Sequence, residues 1–220
     1  MHIMEGFLPP LWAVLWTVVA LPVVAYGARR TLSTVRMDAR TKALVAVAAA
    51  FVFVLSALKL PSVAGSSSHP TGTGVMVVLF GPAITAFVSV IVLLYQAVLL
   101  AHGGLTTLGA NVTSMGIVGP FVGWLAYRLV RSRLTLPQAT FVAAVVTDWT
   151  TYLVASLQLG LAFPAGADPG GVLVATLDFA AIFAVTQLPI GVLEGVLAAA
   201  MVGYLHRIDT AADRRLGVPS

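Results

Sequence analysis

Apolar and polar residues fall along this chain in long blocks, and the blocks set the expected elements. The first apolar block runs from Phe7 to Ala28, with Pro9 and Pro10 suited to a first helical turn and Pro22 marking a bend. A basic stretch follows, carrying Arg29, Arg30, Arg36, Arg40 and Lys42, and reads as a loop. The second block, Ala43 to Leu60, is rich in alanine; Ala46 and Ala50, four apart, let another helix approach closely. Residues 61–74, PSVAGSSSHPTGTG, are almost all turn formers. Later blocks cover Val75 to Ala101, Leu108 to Leu129, Pro137 to Leu161 and Leu177 to Leu205, the last bent at Pro189. These runs do not alternate in the manner of barrel strands, and most match the ~20 residues that cross a bilayer core. The pattern predicts an all-α, polytopic bundle of membrane helices.

The block from Val75 to Ala101 has two readings: one long helix, or a short one ending at Phe80-Gly81-Pro82 and a second from Ala83. Charge separates them. If the 29–42 stretch is cytoplasmic, an unbroken helix puts Arg128, Arg131, Arg133, Arg207, Arg214 and Arg215 outside. A break at Gly81-Pro82 returns them inside, so that eleven of the 12 Lys and Arg residues are cytoplasmic. The broken version therefore predicts seven spans, with the N-terminus outside and the C-terminus cytoplasmic. Its short third span, residues 72–81, rises only ~15 Å against a ~30 Å core, so it must pack within the bundle.

Composition agrees. The chain is 59% hydrophobic and 9% charged, far from the roughly 25% charged residues of a soluble domain. There is no cysteine, which excludes disulfides and thiolate metal sites. The net charge of +4 follows the basic clusters between spans and does not indicate nucleic acid. Nothing basic precedes the first apolar block, so no signal peptide is expected and Met1 is read as the mature start.

The candidate chemistry gathers on the outer side. Met1, His2, His69, His102 and Asn111 come from three chain-distant segments that the predicted topology brings to one face. The Met1 amine and the His2 amide nitrogen can close a five-membered chelate ring; the amide nitrogen and the His2 ring can close a six-membered one. With the His69 imidazole this makes a tetragonal nitrogen set suited to Ni(II) or Cu(II), with Co(II) also possible. Because the amide must lose its proton, binding should depend on pH. Ser68 beside His69 can orient that ring, and Glu5 can orient His2 or hold the N-terminal segment. Asp148, Asp178 and Glu194 fall in or near spans; Gln187, Gly191 and Glu194 share a helix face, which reads as a structural network or a proton path. Taken as a cation path, those acids would make the chain a stand-alone gradient-driven transporter. No nucleotide-binding or zinc-protease motif is visible, so ATP hydrolysis, if it drives transport, belongs to another chain and no enzyme activity is expected here.

MHIMEGFLP at the start, SSSHPTGTG at 66–74, LFGP at 79–82, AHGGLTTLGAN at 101–111, SMGIVGP at 114–120 and QLPIGVLEGVL at 187–197 together resemble the CbiM family. Its members are substrate-binding components of energy-coupling factor transporters for cobalt, akin to the nickel component NikM. The resemblance covers nearly the whole chain. It implies one membrane domain, residues 1–220, in which 1–28 form a metal-binding N-terminus plus an added span and 43–205 a six-span core. It implies capture of Co(II) or Ni(II) from outside a prokaryotic cell membrane, through the Met1 amine, His2 amide, His2 ring and His69 ring. SSSHPTGTG is more similar to the cobalt form. The implied partners are a transmembrane coupling protein, two ATPase subunits and a small auxiliary membrane subunit, with alanines of the second span meeting the coupling protein. An acid beside His69, present in some of the family, is absent here, so no carboxylate is assigned as a ligand.

Overall fold

The computed structural model describes residues 2–37, 39–61, 66–166 and 170–216. In chain order the elements are β1 (His2–Ile3), α1 (Pro10–Met37), α2 (Ala39–Ala57), β2 (Leu60–Pro61), β3 (Ser66–Ser68), α3 (Thr73–Leu100), α4 (Leu108–Asn111), a π-helical stretch Val112–Val118, α5 (Gly119–Val130), α6 (Leu136–Ala162) and α7 (Gly171–Leu216). Among the described residues six helices are long and apolar enough to cross a membrane: Pro10–Thr34, Ala39–Ala57, Thr73–Leu100, Leu108–Val130, Leu136–Ala162 and Gly171–Ile208. The chain is a multi-pass membrane protein. The outer faces are greasy, as lipid requires; Leu11, Val18 and Leu21 of α1 and Val185 of α7 are largely exposed.

Two expectations need correction. The basic stretch 29–42 is not a loop: α1 runs through Arg29, Arg30 and Arg36, and α2 starts at Ala39. Basic residues are good helix formers, and their charged ends reach water while the helix continues past the bilayer. The fold is also not wholly helical. β1, β3 and β2 form a small antiparallel sheet in that order, with His2 opposite Ser67 and Leu60 opposite Ser68. These strands are only two or three residues long, too short to leave a period-two signal in the sequence.

The third apolar helix is broken where the sequence places the break. Gly81 has φ 79° and ψ 169°, a conformation open to glycine, and Pro82 follows. The chain doubles back there. An unbroken 28-residue helix would be ~42 Å long, yet the rings of His69, just before α3, and His102, just after it, have centroids 4.9 Å apart. Both ends of the segment thus lie at one face of the bundle. Phe7 packs on Phe163 at 5.2 Å between ring centroids, which brings the end of α6 to that face as well. At the other face Arg40, Leu136 and His206 line one cavity together with Leu79 and Phe80 from the tip of the α3 hairpin. Arg40, at the start of α2, therefore lies opposite the histidines.

Candidate metal centre

The N-terminal strand is held on both edges. On one side β1 pairs with β3. On the other, Asn111 acts like a neighbouring strand: its Oδ1 accepts from Ile3 N–H at 2.8 Å and its Nδ2 donates to the Ile3 carbonyl at 3.0 Å. Thr107 Oγ1 donates to the same carbonyl at 2.8 Å. The Ile3 side chain is fully buried among Leu8, Ala110, Tyr152, Leu159 and Phe183, so the strand is anchored by apolar packing too.

Glu5 holds the next turn. Its carboxylate accepts from the backbone N–H groups of Leu105 and Thr106 and from Thr106 Oγ1, the last at 2.6 Å. The Thr106 hydroxyl and these amides favour the charged form and hold the Glu5 carboxyl below its ordinary range. The Gly-Gly after His102 has a steric cause: a Cβ on Gly104 would lie 2.5 Å from the Glu5 Cα.

These contacts deliver His2 to His69 and His102. The three side chains are buried, with ring centroids 4.3 Å apart for His2–His69 and 4.4 Å for His2–His102. One nitrogen from each lies within 4.8 Å of the others. His69 Nδ1 donates to the Pro70 carbonyl at 2.8 Å, which fixes its tautomer and leaves the Nε2 lone pair free. That Nε2 is buried without a hydrogen-bond partner, as are His2 Nε2 and His102 Nδ1. His102 Nε2 sits 3.0 Å from His2 Nδ1 and 2.9 Å from Ser67 Oγ.

Burial disfavours imidazolium at all three positions. It pushes His2 and His69 well below the ordinary histidine range and His102 down to about 4. The rings are thus neutral at pH 7, the form in which imidazole binds metal. A buried polar atom is nearly always hydrogen-bonded, so three packed imidazoles that each leave one ring nitrogen unpartnered call for a ligand. A borderline divalent transition metal fits this donor set; a hard, oxygen-seeking cation does not.

The His69 segment is fastened from α7. Gln187 Nε2 donates to the His69 carbonyl at 2.9 Å and to Asp148 Oδ1 at 2.8 Å. Two turns on, Glu194 accepts from Thr71 N–H, from Thr71 Oγ1 at 2.8 Å and from Gly72 N–H at 2.9 Å. Ser68 Oγ pairs with Thr186 Oγ1 at 2.8 Å, tying β3 to α7; the serine that touches an imidazole is Ser67. Asp178 is exposed and stands apart from this cluster. Ala46 and Ala50 are exposed on α2. Met1 lies outside the described residues.

A multi-pass helical bundle with a buried imidazole cluster at one face defines a membrane component of a metal transporter. The profile of the CbiM family, described as a cobalt uptake substrate-specific transmembrane region, matches residues 2–212, and the chain belongs to that family. It is 65% identical over 218 residues to a CbiM chain of Haloquadratum walsbyi, covering 99% of each. It is 50% identical over 218 residues to the cobalt transport protein CbiM of Roseiflexus sp., covering 99% of this chain and 87% of that one. A crystal structure of a transition metal transporter superposes with a TM-score of 0.82 at 26% identity, over 98% of this chain and 99% of that one.

Proposed function

We propose that this chain is the substrate-capture subunit of an ATP-driven energy-coupling factor importer, and that its cargo is Co(II). The observation that carries the reading is the buried, neutral cluster of His2, His69 and His102, whose rings bring one nitrogen each within 4.8 Å of the others and leave His69 Nε2 with no protein partner. In this reading the Met1 amine, the His2 amide nitrogen and His2 Nδ1 chelate the metal and His69 Nε2 completes the set. The names of the relatives favour cobalt over nickel.

The bundle has seven spans, α3 counting as a short inward arm and a full return; the N-terminus is outside and the C-terminus cytoplasmic. The fold-back at Gly81, the position of Arg40 opposite the histidines and the spacing of the basic clusters along the chain support that count and orientation. The partners are a transmembrane coupling protein, two ATPase subunits and a small auxiliary membrane subunit in a prokaryotic cell membrane. Ala46 and Ala50, small and exposed, offer α2 to the coupling protein.

Reconstitution tests this against a stand-alone transporter. Vesicles holding this chain alone should bind Co(II) without accumulating it, and uptake should require the partner ATPases and ATP. Accumulation by the chain alone under a proton gradient would overturn the reading.

A further inference from the structure

At the face opposite the histidines the bundle is not closed. A cavity of about 450 Å³ lies between α2, which packs on α1 and α3, and α7, which packs on α6. Leu79 and Phe80 at the tip of the α3 hairpin and Leu136 at the start of α6 complete its wall. The described residues that line it are apolar except for Arg40 and His206. Those two are exposed and stand at the ends of their spans, Arg40 in the first turn of α2 and His206 near the end of the apolar part of α7. The apolar wall runs inward from them. Arg40, Leu44 and Val47 share one face of α2 and cover ~10 Å along its axis. Val202 and Leu205 line the α7 side. Leu44 is 42% exposed and Val47 59%, so this wall is open rather than packed.

We propose that this cleft binds one anionic phospholipid, with an apolar chain lying against Leu44, Val47, Val202 and Leu205 and the phosphate held by Arg40. The cleft is at the face opposite the histidines, so the inference goes beyond the metal-capture reading and does not rest on it.

The chemistry of the wall selects this occupant. Water in an apolar cleft finds too few hydrogen-bond partners, and an empty cleft forfeits dispersion contacts. In a bilayer the molecule at hand to fill it is a lipid chain. A chain alone carries no preference for one headgroup; Arg40 supplies it. A guanidinium binds phosphate through two parallel N–H···O bonds, and its five donors allow this beside the contacts Arg40 keeps within the protein. Lys42, Arg133 and Arg207 are exposed and lie within three positions of the lining residues Arg40, Leu136 and His206, adding charge of the same sign. Basic pockets between membrane helices take anionic headgroups. The rival occupant is a helix of a membrane partner. Ala46 and Ala50, the small residues suited to a close helix approach, lie roughly 120° round α2 from this wall, and neither lines the cleft. A bound lipid bridges α2 and α7 and stabilises the folded chain.

Native mass spectrometry on the detergent-solubilised full chain tests this, with phosphatidylglycerol and phosphatidylcholine of identical chains as the probes. The wild type should retain phosphatidylglycerol about tenfold more strongly than phosphatidylcholine, the scale of one charge-assisted contact. Arg40→Gln should lose most of that preference. Val47→Trp, which fills the cleft, should release both lipids. Both variants should still bind one Co(II) per chain, which shows that they are folded. Equal retention of the two lipids by the wild type overturns the proposal, as does an unchanged preference in Arg40→Gln. Phosphatidylglycerol retained by Val47→Trp overturns the placement in the cleft, and if that variant also fails to assemble with its membrane partner, the cleft belongs to the partner. Should Val47→Trp not fold, the preferences of the wild type and Arg40→Gln decide alone. A wild type that prefers phosphatidylglycerol but binds no Co(II) overturns the capture reading and leaves the lipid site standing.

Discussion

The imidazole cluster and the Asp148 and Glu194 carboxylates are both buried and both assembled from distant parts of the chain, yet they differ in what their titratable groups touch. The Glu194 carboxylate receives two backbone N–H groups and a hydroxyl, and Asp148 receives the Gln187 amide. The imidazoles leave a nitrogen on each ring with nothing to bind. Supplied donors make the carboxylates a fixed support for residues 69–72; surplus lone pairs make the imidazoles a receptor. Gln187 joins the two, since its amide nitrogen reaches both Asp148 and the His69 carbonyl. Lying in membrane spans is therefore no sign, for these acids, of an ion path: their oxygens are engaged in holding a loop.

Several variants would break that distinction, and they rank by expected size. Glu194→Ala strands three buried donors. At about 1 kcal/mol or more each, this should lower the thermal midpoint in detergent by roughly 5–10 °C and abolish metal binding along with it. A variant with wild-type stability would show that the carboxylate is not a support. Gly104→Ala acts on the other cluster. The new Cβ, 2.5 Å from the Glu5 Cα, must push the N-terminal segment outward. Co(II) affinity should fall about 100-fold while the thermal midpoint moves less than in Glu194→Ala; calorimetric titration and a melting curve on the same sample decide it. Asn111→Ala removes the surrogate strand pairing of Ile3 and should cost roughly tenfold in affinity, since β3 still holds the other edge. Unchanged affinity would mean that β3 alone positions His2.

The smallest effect is in pH. Burial holds His102 at about 4 in the folded chain against 6.5 for an ordinary histidine. Between those values the unfolded chain binds the proton and the folded chain does not. The stability of the metal-free protein is therefore full above pH 6.5 and falls as pH drops from there toward 4. Melting curves at pH 7 and pH 5 should show the decline, and His102→Gln should lessen it without removing it, because burial depresses His2 and His69 in the same direction.

Much of the site was legible in the residues because its chemistry is local. A histidine at position 2, another in SSSHPTGTG and a third before Gly-Gly all fall between or beside the apolar blocks, and charge balance chose the reading with a break at Gly81-Pro82. Less legible was what depends on register. Whether Ser67 or Ser68 faces the rings is a matter of strand parity, and strands of two or three residues carry no pattern to read it from. The extent of α1 is hidden because a basic stretch reads equally as a loop or as a helix continuing into water. The grip of Gln187 on the His69 carbonyl is a side chain meeting a backbone group 118 positions away, and nothing in either segment announces it.

The central claim is that His2 and His69 act on one metal ion. Titrating the purified, untagged chain with Co(II), beside His2→Ala and His69→Ala, tests it most directly. The account predicts one ion per wild-type chain and no stoichiometric binding by either variant; full binding by either one would contradict it.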